Sequence, residues 1–231
     1  MRRLATAPAL PASSSHTMRI VDCSVTVIVV DKPAGLPAVP GRAAGLQDSV
    51  ASRVQARWAD ARVVHRLDMA TSGLMLLARG AAAQRGLAAA FAQRAVDKRY
   101  VAVVAGRVVP APDGGWAEIA LPLAADWPAR PRQKVDHDAG KPSLTRYRVL
   151  ANLDGGAAMP CTRVELQPLS GRTHQLRVHL AAIGHPIVGD TLYAPTDVQA
   201  LDTRLLLHAS ALAFADPADG RALAFASPAP F

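Results

Sequence analysis

Apolar and polar residues alternate along two segments in the second half of the chain. Residues 145–149 and 162–166 each place threonine, tyrosine, valine or leucine at every second position, with charged side chains between them. A period of two residues directs alternate side chains to opposite faces of a sheet, so it is typical of half-buried β-strands. We therefore predict that both segments are strands and that they pair in an antiparallel sense.

Continuous apolar runs predict further strands. A β-branched run at 25–30 stops at residues 31–35, where proline and glycine turn the backbone. The runs at 74–78 and 101–105 are also typical of strands. A last β region begins at 205–207, and the turn-forming residues 217–220 divide it into a hairpin.

Helical periodicity is confined to short segments. Val50, Val54 and Trp58 are spaced by four residues, and Asp48 or Ser49 can cap the helix that they predict. A second helix is predicted at 81–95. A third is predicted where Leu176, Leu180 and Ile183 form an apolar stripe, which Gly184 and then Pro186 terminate.

Strands outnumber helices in this pattern, and no segment is repeated. Clustered strands with few helices are typical of the α+β class. We expect a mixed, mainly antiparallel central sheet flanked by short helices. The 231 residues, 50% of them hydrophobic, suffice for one full domain or two small ones.

The chain is strongly basic, with 26 Lys+Arg against 18 Asp+Glu and a net charge of +8. This charge predicts a partner rich in phosphate, and nucleic acid is the first candidate. On charge alone, a membrane surface is almost as compatible with the sequence. Residues 127–148 concentrate this charge and are either a phosphate-tracking strip or an ordinary solvated face. The basic residues of this segment are Arg130, Arg132, Lys134, Lys141, Arg146 and Arg148.

The cysteine pattern argues against a disulfide framework or a zinc site. Cys23 and Cys161 are the only cysteines, and they are far apart in the sequence. They fit a reducing compartment, so we expect a cytoplasmic protein. No stretch approaches the roughly 18 consecutive apolar residues of a membrane span. Residues 1–17 are expected to be a disordered tail, with Met1 or Met18 as the start.

One acidic residue stands out by its neighbours. Asp68 follows His65 and Arg66, precedes the hydroxyl-rich turn 71–73, and is followed by the apolar run 74–78. An isolated aspartate is more often a cap or a surface charge, and Asp68 could cap that turn. A carboxylate that follows two basic residues so closely is nevertheless a candidate for catalysis.

These segments resemble the signatures of the RluA-type pseudouridine synthases. The family pattern HRLD, two variable residues, then TSG is matched at 65–73, and GRTHQxRxHLxxxGHPIxGDxxY is matched at 171–193. Shorter matches occur at 31–35, 98–102, 141–147 and 204–209. The resemblance implies the pseudouridine synthase fold with a catalytic cleft, formed by residues 18–231 without the N-terminal S4 domain of many relatives.

Within the family, segments 36–42 and 126–134 most resemble the synthase that modifies both 23S rRNA and tRNA. The resemblance implies isomerisation of uridine in stem-loops, including the uridine that opens the tRNA anticodon loop. It implies RNA as the partner and neither metal nor organic cofactor. By analogy, we expect a monomer.

The resemblance also implies roles for individual residues. Asp68 would be the catalytic carboxylate, Arg177 its ionic partner, and Tyr100 the aromatic that stacks on the uracil. Arg66 would fill the gap left by the flipped base, while His65 would either orient that loop or be bonded into the core. The other expected RNA contacts are Arg130, Arg132, Lys134, Arg172 and His174.

Two other functional classes stay open on the residues alone. A non-catalytic RNA-binding protein on the same scaffold would have no use for Asp68. A nucleoside or glycoside hydrolase would require a second carboxylate near it, and Asp97, Asp136 and Asp138 are the mid-chain acids to examine.

Overall fold

The computed structural model describes residues 17–41, 46–153 and 159–231. The predicted tail at 1–17 lies outside these ranges, apart from Thr17. The strands are β1 (Arg19–Cys23), β2 (Val27–Lys32), β3 (Ala61–Val63), β4 (Ser72–Arg79), β5 (Asp97–Ala105), β6 (Ala117–Ala120), β7 (Leu123–Ala125), β8 (Gln133–Val135), β9 (Leu144–Leu153), β10 (Cys161–Pro168), β11 (Leu207–Ala215) and β12 (Ala222–Ala226). The helices are α1 (Val50–Arg57), α2 (Gly80–Ala92), α3 (Gln175–Ala182) and α4 (Thr196–Gln199).

Ten strands form one sheet in the order β1-β2-β4-β11-β5-β10-β9-β6, with β3 added on β4 and β12 on β11. Only β4 and β11 pair in parallel; the other pairs are antiparallel, including the predicted pair β9–β10. Strands β7 and β8 form a separate hairpin. The predicted mixed, mainly antiparallel α+β fold with short helices is confirmed.

Local hydrogen bonds explain where α1 begins. Ser49 is the N-cap: its side chain accepts from the backbone N–H of Ser52, and the Ser52 hydroxyl accepts from the backbone N–H of Ser49. This reciprocal pairing is a capping box, so Ser49 rather than Asp48 caps the helix. Trp58 follows the last helical residue, and its extended backbone ends the helix before the predicted stripe is complete.

Helix α2 is shorter than the predicted segment 81–95. It ends at Ala92, and Arg94 has a φ of 61°, in the left-handed region that cannot continue a right-handed helix. The chain then turns directly into β5, which begins at Asp97 and is four residues longer than the apolar run 101–105 predicted. The turn and the strand start together form one wall of the cleft described below.

The core lies on both faces of the sheet. Leu176 and Leu180 of α3 pack with Ala102 of β5 and Leu166 of β10, while α1 and α2 cover the half of the sheet that contains β2 and β4. Across the described ranges, no helix is long and apolar enough to cross a membrane. Three segments meet near the centre of the sheet. They are the β3–β4 loop, the start of β5 and the start of α3.

Candidate active site

A buried lysine holds the loop that carries Asp68 by hydrogen bonds to backbone carbonyls. Lys32 is fully buried, and its ammonium donates to the backbone carbonyls of Pro33, Leu36 and Met69 at 2.9–3.0 Å. Burial is the largest effect on this group and lowers the pKa of Lys32 to about 7. Because Met69 follows Asp68 directly, the lysine fixes the backbone beside the carboxylate.

The residues after the loop are held by His208 of β11 and by Arg204, which lies just before that strand. The Ser72 hydroxyl bonds with Nδ1 of His208 at 2.9 Å and accepts from Arg204 at 2.6 Å. Gly73 has a φ of 107°, and a Cβ there would lie 2.3 Å from the carbonyl oxygen of Ala209. The parallel strands β4 and β11 can therefore approach closely only with glycine at this position.

The carboxylate of Asp68 opens into a cleft of about 750 Å³ and is 28% exposed. Nη1 of Arg177 lies 3.6 Å from its Oδ2. Arg177 is itself buried and donates two hydrogen bonds to the fully buried Asp190, at 2.8 and 2.6 Å. The bidentate pair holds the guanidinium in place, so α3 presents a fixed positive charge to Asp68.

His174 and Tyr193 complete the surroundings of the carboxylate. His174 Nε2 lies 3.9 Å from Oδ1 of Asp68, and its Nδ1 is 2.6 Å from the Tyr193 hydroxyl. Burial lowers the pKa of His174, so the neutral ring is favoured near pH 7. The Tyr193 ring also lies beneath the guanidinium of Arg177, at 5.1 Å from its centre.

Tyr100 and His65 also line the cleft. Tyr100 of β5 is half-buried, and desolvation, followed by the charge of Asp68, raises the pKa of its hydroxyl, which stays protonated at neutral pH. His65 stacks on Phe91, and its Nε2 accepts from the backbone N–H of Leu76 at 2.9 Å. Burial lowers the pKa of His65 to about 3, so it is a neutral residue that ties the loop to β4.

The predicted RNA-contacting residues are only partly brought together. Arg66 and Arg172 are exposed and line the cleft. Arg132 is outside the cleft lining, and its guanidinium lies 5.5 Å from the centre of the Tyr193 ring. Arg130 stacks on the exposed Trp127 and Lys134 pairs with Asp136, both on the β7–β8 hairpin and outside the cleft lining.

Comparison with known proteins decides between the functional classes. Residues 26–182 match the family model described as RNA pseudouridylate synthase. The chain belongs to that family. It is therefore an RNA pseudouridine synthase, an isomerase, and neither a binding protein without activity nor a hydrolase.

The similarity of this RNA pseudouridine synthase to individual relatives extends over most of its length. It is 47% identical over 205 residues to the dual-specificity RNA pseudouridine synthase RluA of Escherichia coli strain K12, covering 89% of this chain and 90% of the relative. The RluA of Yersinia pestis is also 47% identical, with 96% of its length covered. The solved structure of human RNA pseudouridylate synthase domain containing 1 superposes with a TM-score of 0.76 at 30% identity, covering 96% of this chain and 87% of that one.

Among the described residues that line the cleft, the only carboxylate besides Asp68 is that of Asp97. Asp97 lines the same cleft, but it accepts hydrogen bonds from Gln167 and Arg99. Asp190 is occupied by Arg177 and by the backbone of residues 192 and 193. The described part of the chain also contains no cluster of histidine, cysteine and acidic side chains that could hold a metal ion.

Three residues of the site received no role from the sequence: Lys32, Asp190 and Tyr193. Each of them lies within a matched segment, so a signal was present. Their functions depend on tertiary contacts, namely three loop carbonyls for Lys32 and the Arg177 guanidinium for Asp190. Residue type and spacing do not specify such contacts.

Proposed function

We propose that this synthase isomerises uridine in stem-loops of tRNA, at the start of the anticodon loop, and in a hairpin loop of 23S rRNA. Support comes from relatives at 47% identity that are named dual-specificity enzymes and are covered almost end to end. The observation that carries the catalytic assignment is the Asp68 carboxylate in the cleft, 3.6 Å from the fixed guanidinium of Arg177.

The reaction requires a carboxylate that is ionised before the substrate reacts. The C1'–N1 bond of uridine breaks, the uracil turns in place, and a bond from C1' to C5 forms. The C5 proton then leaves and N1 takes up a proton, so the product is an isomer of the substrate. We propose that Asp68 attacks or deprotonates the ribose. The neighbouring guanidinium stabilises its negative charge by Coulombic attraction, which is stronger in a cleft than in bulk water.

Tyr100 and Arg66 are proposed to hold the nucleotide out of its stem-loop. Extrusion costs a few kcal/mol of lost stacking and pairing, which contacts to the protein must offset. The Tyr100 ring, at the cleft wall, can stack on the uracil, and the exposed Arg66 can fill the space that the base leaves. His65 is proposed to orient the loop that presents Arg66.

The remaining predicted contacts are proposed to position the RNA backbone. Basic side chains bind phosphate without reading sequence, which suits Arg130, Arg132, Lys134 and Arg172. We further propose that residues 18–231 act as one catalytic domain, as a monomer in the cytoplasm, without metal or organic cofactor. The ten-stranded sheet, which contains every strand except β7 and β8, supports a single domain, and the two free cysteines fit a reducing compartment.

The catalytic assignment is tested with paired aspartate variants. RNA labelled with tritium at C5 of uridine should lose tritium to water with the wild type, in transcripts of the tRNA anticodon arm or of 23S rRNA. Asp68→Asn should abolish release while RNA binding persists. Asp97→Asn, which changes another acid of the same cleft, should remain active; activity in Asp68→Asn would refute the assignment.

The cellular targets are tested separately. Carbodiimide mapping of total RNA from a strain lacking this gene should show the loss of pseudouridine from a tRNA anticodon loop and from 23S rRNA. Loss from only one of the two RNAs would refute dual specificity and leave the catalytic assignment intact.

A further inference from the structure

His174 has a backbone conformation that is uncommon for residues other than glycine. Its φ is 53° and its ψ 17°, so it lies in the left-handed region immediately before α3, and its side chain makes no capping hydrogen bond. Among the described residues other than glycine, only Arg94 shares a positive φ. Non-glycine residues retain such strain only where surrounding contacts enforce it, and these positions concentrate at functional sites.

The side-chain contacts of His174 provide that enforcement. The imidazole lies between the Tyr193 hydroxyl, 2.6 Å from Nδ1, and the Asp68 carboxylate, 3.9 Å from Nε2, and it is only 10% exposed. The Tyr193 ring meets it edge-on, with the centroids 5.6 Å apart. The imidazole is therefore held between two polar side chains, one of which is the proposed catalytic carboxylate.

The contacts of Tyr193 and Asp68 together indicate which nitrogen of His174 carries the proton. The backbone N–H of Gln133 donates to the Tyr193 oxygen at 2.8 Å. The Tyr193 hydroxyl and Nδ1 of His174 lie 2.6 Å apart, so one of them donates to the other. Because the Asp68 carboxylate beside Nε2 favours an N–H at that nitrogen, we take the phenol as the donor and Nδ1 as the acceptor. The neutral imidazole therefore has its own proton on Nε2, the nitrogen that faces Asp68.

We propose that Tyr193 and His174 are positioning residues that link the β7–β8 hairpin to the catalytic carboxylate. Gln133 orients the Tyr193 hydroxyl, the hydroxyl fixes the Nε2–H tautomer of His174, and that N–H holds Asp68. The separation of 3.9 Å closes to a hydrogen bond when substrate fills the cleft, as catalytic contacts commonly tighten in the bound state. This inference rests on the proposed role of Asp68 and replaces RNA contact as the role of His174.

The same link gives the hairpin an influence on catalysis. Arg132 of the hairpin lies over the Tyr193 ring, on which Arg177 also packs. RNA bound to Arg132 therefore acts on the Tyr193 ring, which contacts both His174 and Arg177 beside Asp68. Tyr193 therefore connects the binding of the stem-loop at Arg132 with the orientation of the Asp68 carboxylate.

The tautomer can be measured without substrate. In protein labelled with ¹⁵N-histidine, long-range ¹H–¹⁵N spectra at pH 7 distinguish the two neutral forms and the imidazolium, with His174→Gln identifying the signal. We expect the Nε2–H form in the wild type and a change in Tyr193→Phe, with none in Tyr147→Phe. An Nδ1–H form or an imidazolium in the wild type would overturn the inference, whatever the activity.

Paired amide variants test the catalytic consequence. Asparagine can place a polar atom near Tyr193 but none near Asp68, whereas glutamine can place a donor near Asp68. On RNA that the wild type modifies, His174→Asn should lower the single-turnover rate at saturating RNA by about 100-fold, the cost expected for a misplaced catalytic group. His174→Gln should recover much of that loss, and RNA affinity should stay within about twofold in both.

The coupling of the two residues is tested by a double variant. Tyr193→Phe should reduce the rate as His174→Asn does, and the combination should be no slower than His174→Asn alone, because both act through one contact. Tyr147→Phe should behave as the wild type. Thermal unfolding identifies any variant that fails to fold, in which case Tyr193→Phe alone decides. Additive losses, or a fall in RNA affinity that matches the fall in rate, would overturn the inference.

Discussion

The Arg177 guanidinium makes two hydrogen bonds to Asp190 and lies 3.6 Å from Asp68, so one buried cation serves two carboxylates. The shorter contacts go to Asp190, which is fully buried. Asp190 therefore sets the orientation of the guanidinium, while Asp68 is left able to meet a substrate. A site built from Asp68 and Arg177 alone would let the pair collapse into a closed salt bridge.

Asp190→Asn should destabilise the fold and slow the reaction. Removing one partner of a buried ion pair commonly costs about 3–5 kcal/mol, and Asp68 at 3.6 Å offsets only part of that loss. The free guanidinium should then turn towards Asp68 and hinder its access to the ribose. Urea denaturation measures the first effect and tritium release the second.

Asp60→Asn is the matched control for this prediction. It breaks the ion pair with Arg79, which is also short at 2.8 Å but lies at the surface. Exposed pairs contribute little, so stability and activity should barely change. Equal destabilisation by the two variants would contradict the role assigned to Asp190.

Lys32→Met should remove a pH dependence of stability. The pKa of Lys32 is lowered by burial to about 7, whereas an unfolded lysine titrates near 10.4. Between these values the unfolded chain binds more protons than the folded one, so this group makes the fold more stable as pH rises. Below pH 7 the lysine is charged in both states, and the cost of burying it is complete.

The measurement is the difference in unfolding free energy between wild type and Lys32→Met at pH 7 and pH 9.5. The wild type should gain stability relative to Lys32→Met when the pH is raised from 7 to 9.5. Turnover should fall in Lys32→Met at both, because the carbonyl of Met69 beside Asp68 loses its donor. A difference that is independent of pH would show that Lys32 has an ordinary pKa.

The sequence predicted the fold well because its pattern is local. Period-two segments gave β9 and β10, and apolar runs gave the cores of β2, β4 and β5. The strands β1, β3, β6, β7 and β8 were not predicted, because they are short or carry weak alternation. The end of α2 was also misplaced, since the left-handed turn at Arg94 has no sequence signature that distinguishes it from helix.

The candidate site was predictable only where the resemblance to the family implied a role for a residue. Asp68, Arg177 and Tyr100 received their roles in this way, and the structure brings them to one cleft. Lys32 has a role only because the fold buries it beneath the Asp68 loop, far from it in sequence. For Arg130, the exposed stack on Trp127 could not be inferred from a count of charges.

Tyr100 should separate stacking from proton chemistry. Tyr100→Leu removes the ring and should weaken RNA binding by roughly 1–3 kcal/mol, the range for one stacked base. Tyr100→Phe keeps the ring and should retain affinity and most of the tritium release, because a hydroxyl that stays protonated does not accept the C5 proton. Equal affinity of all three proteins in filter binding would remove the stacking role.

The basic hairpin should contribute to RNA affinity through charge. Arg130→Gln/Lys134→Gln removes two cations without altering Arg132, which contacts Tyr193. Each lost phosphate contact reduces the slope of log K against log salt by roughly 0.7–0.9. The double variant should therefore have a slope shallower by about 1.5, with little change in the rate at saturating RNA.

The control for the hairpin carries the same change of net charge elsewhere. Arg62→Gln/Arg85→Gln neutralises two exposed arginines, one on β3 and one on α2, that do not line the cleft. Because a local phosphate contact differs from a general attraction between a basic protein and RNA, the control should leave the slope nearly unchanged. The same shallower slope in both double variants would mean that residues 127–134 are a solvated face and that only net charge matters.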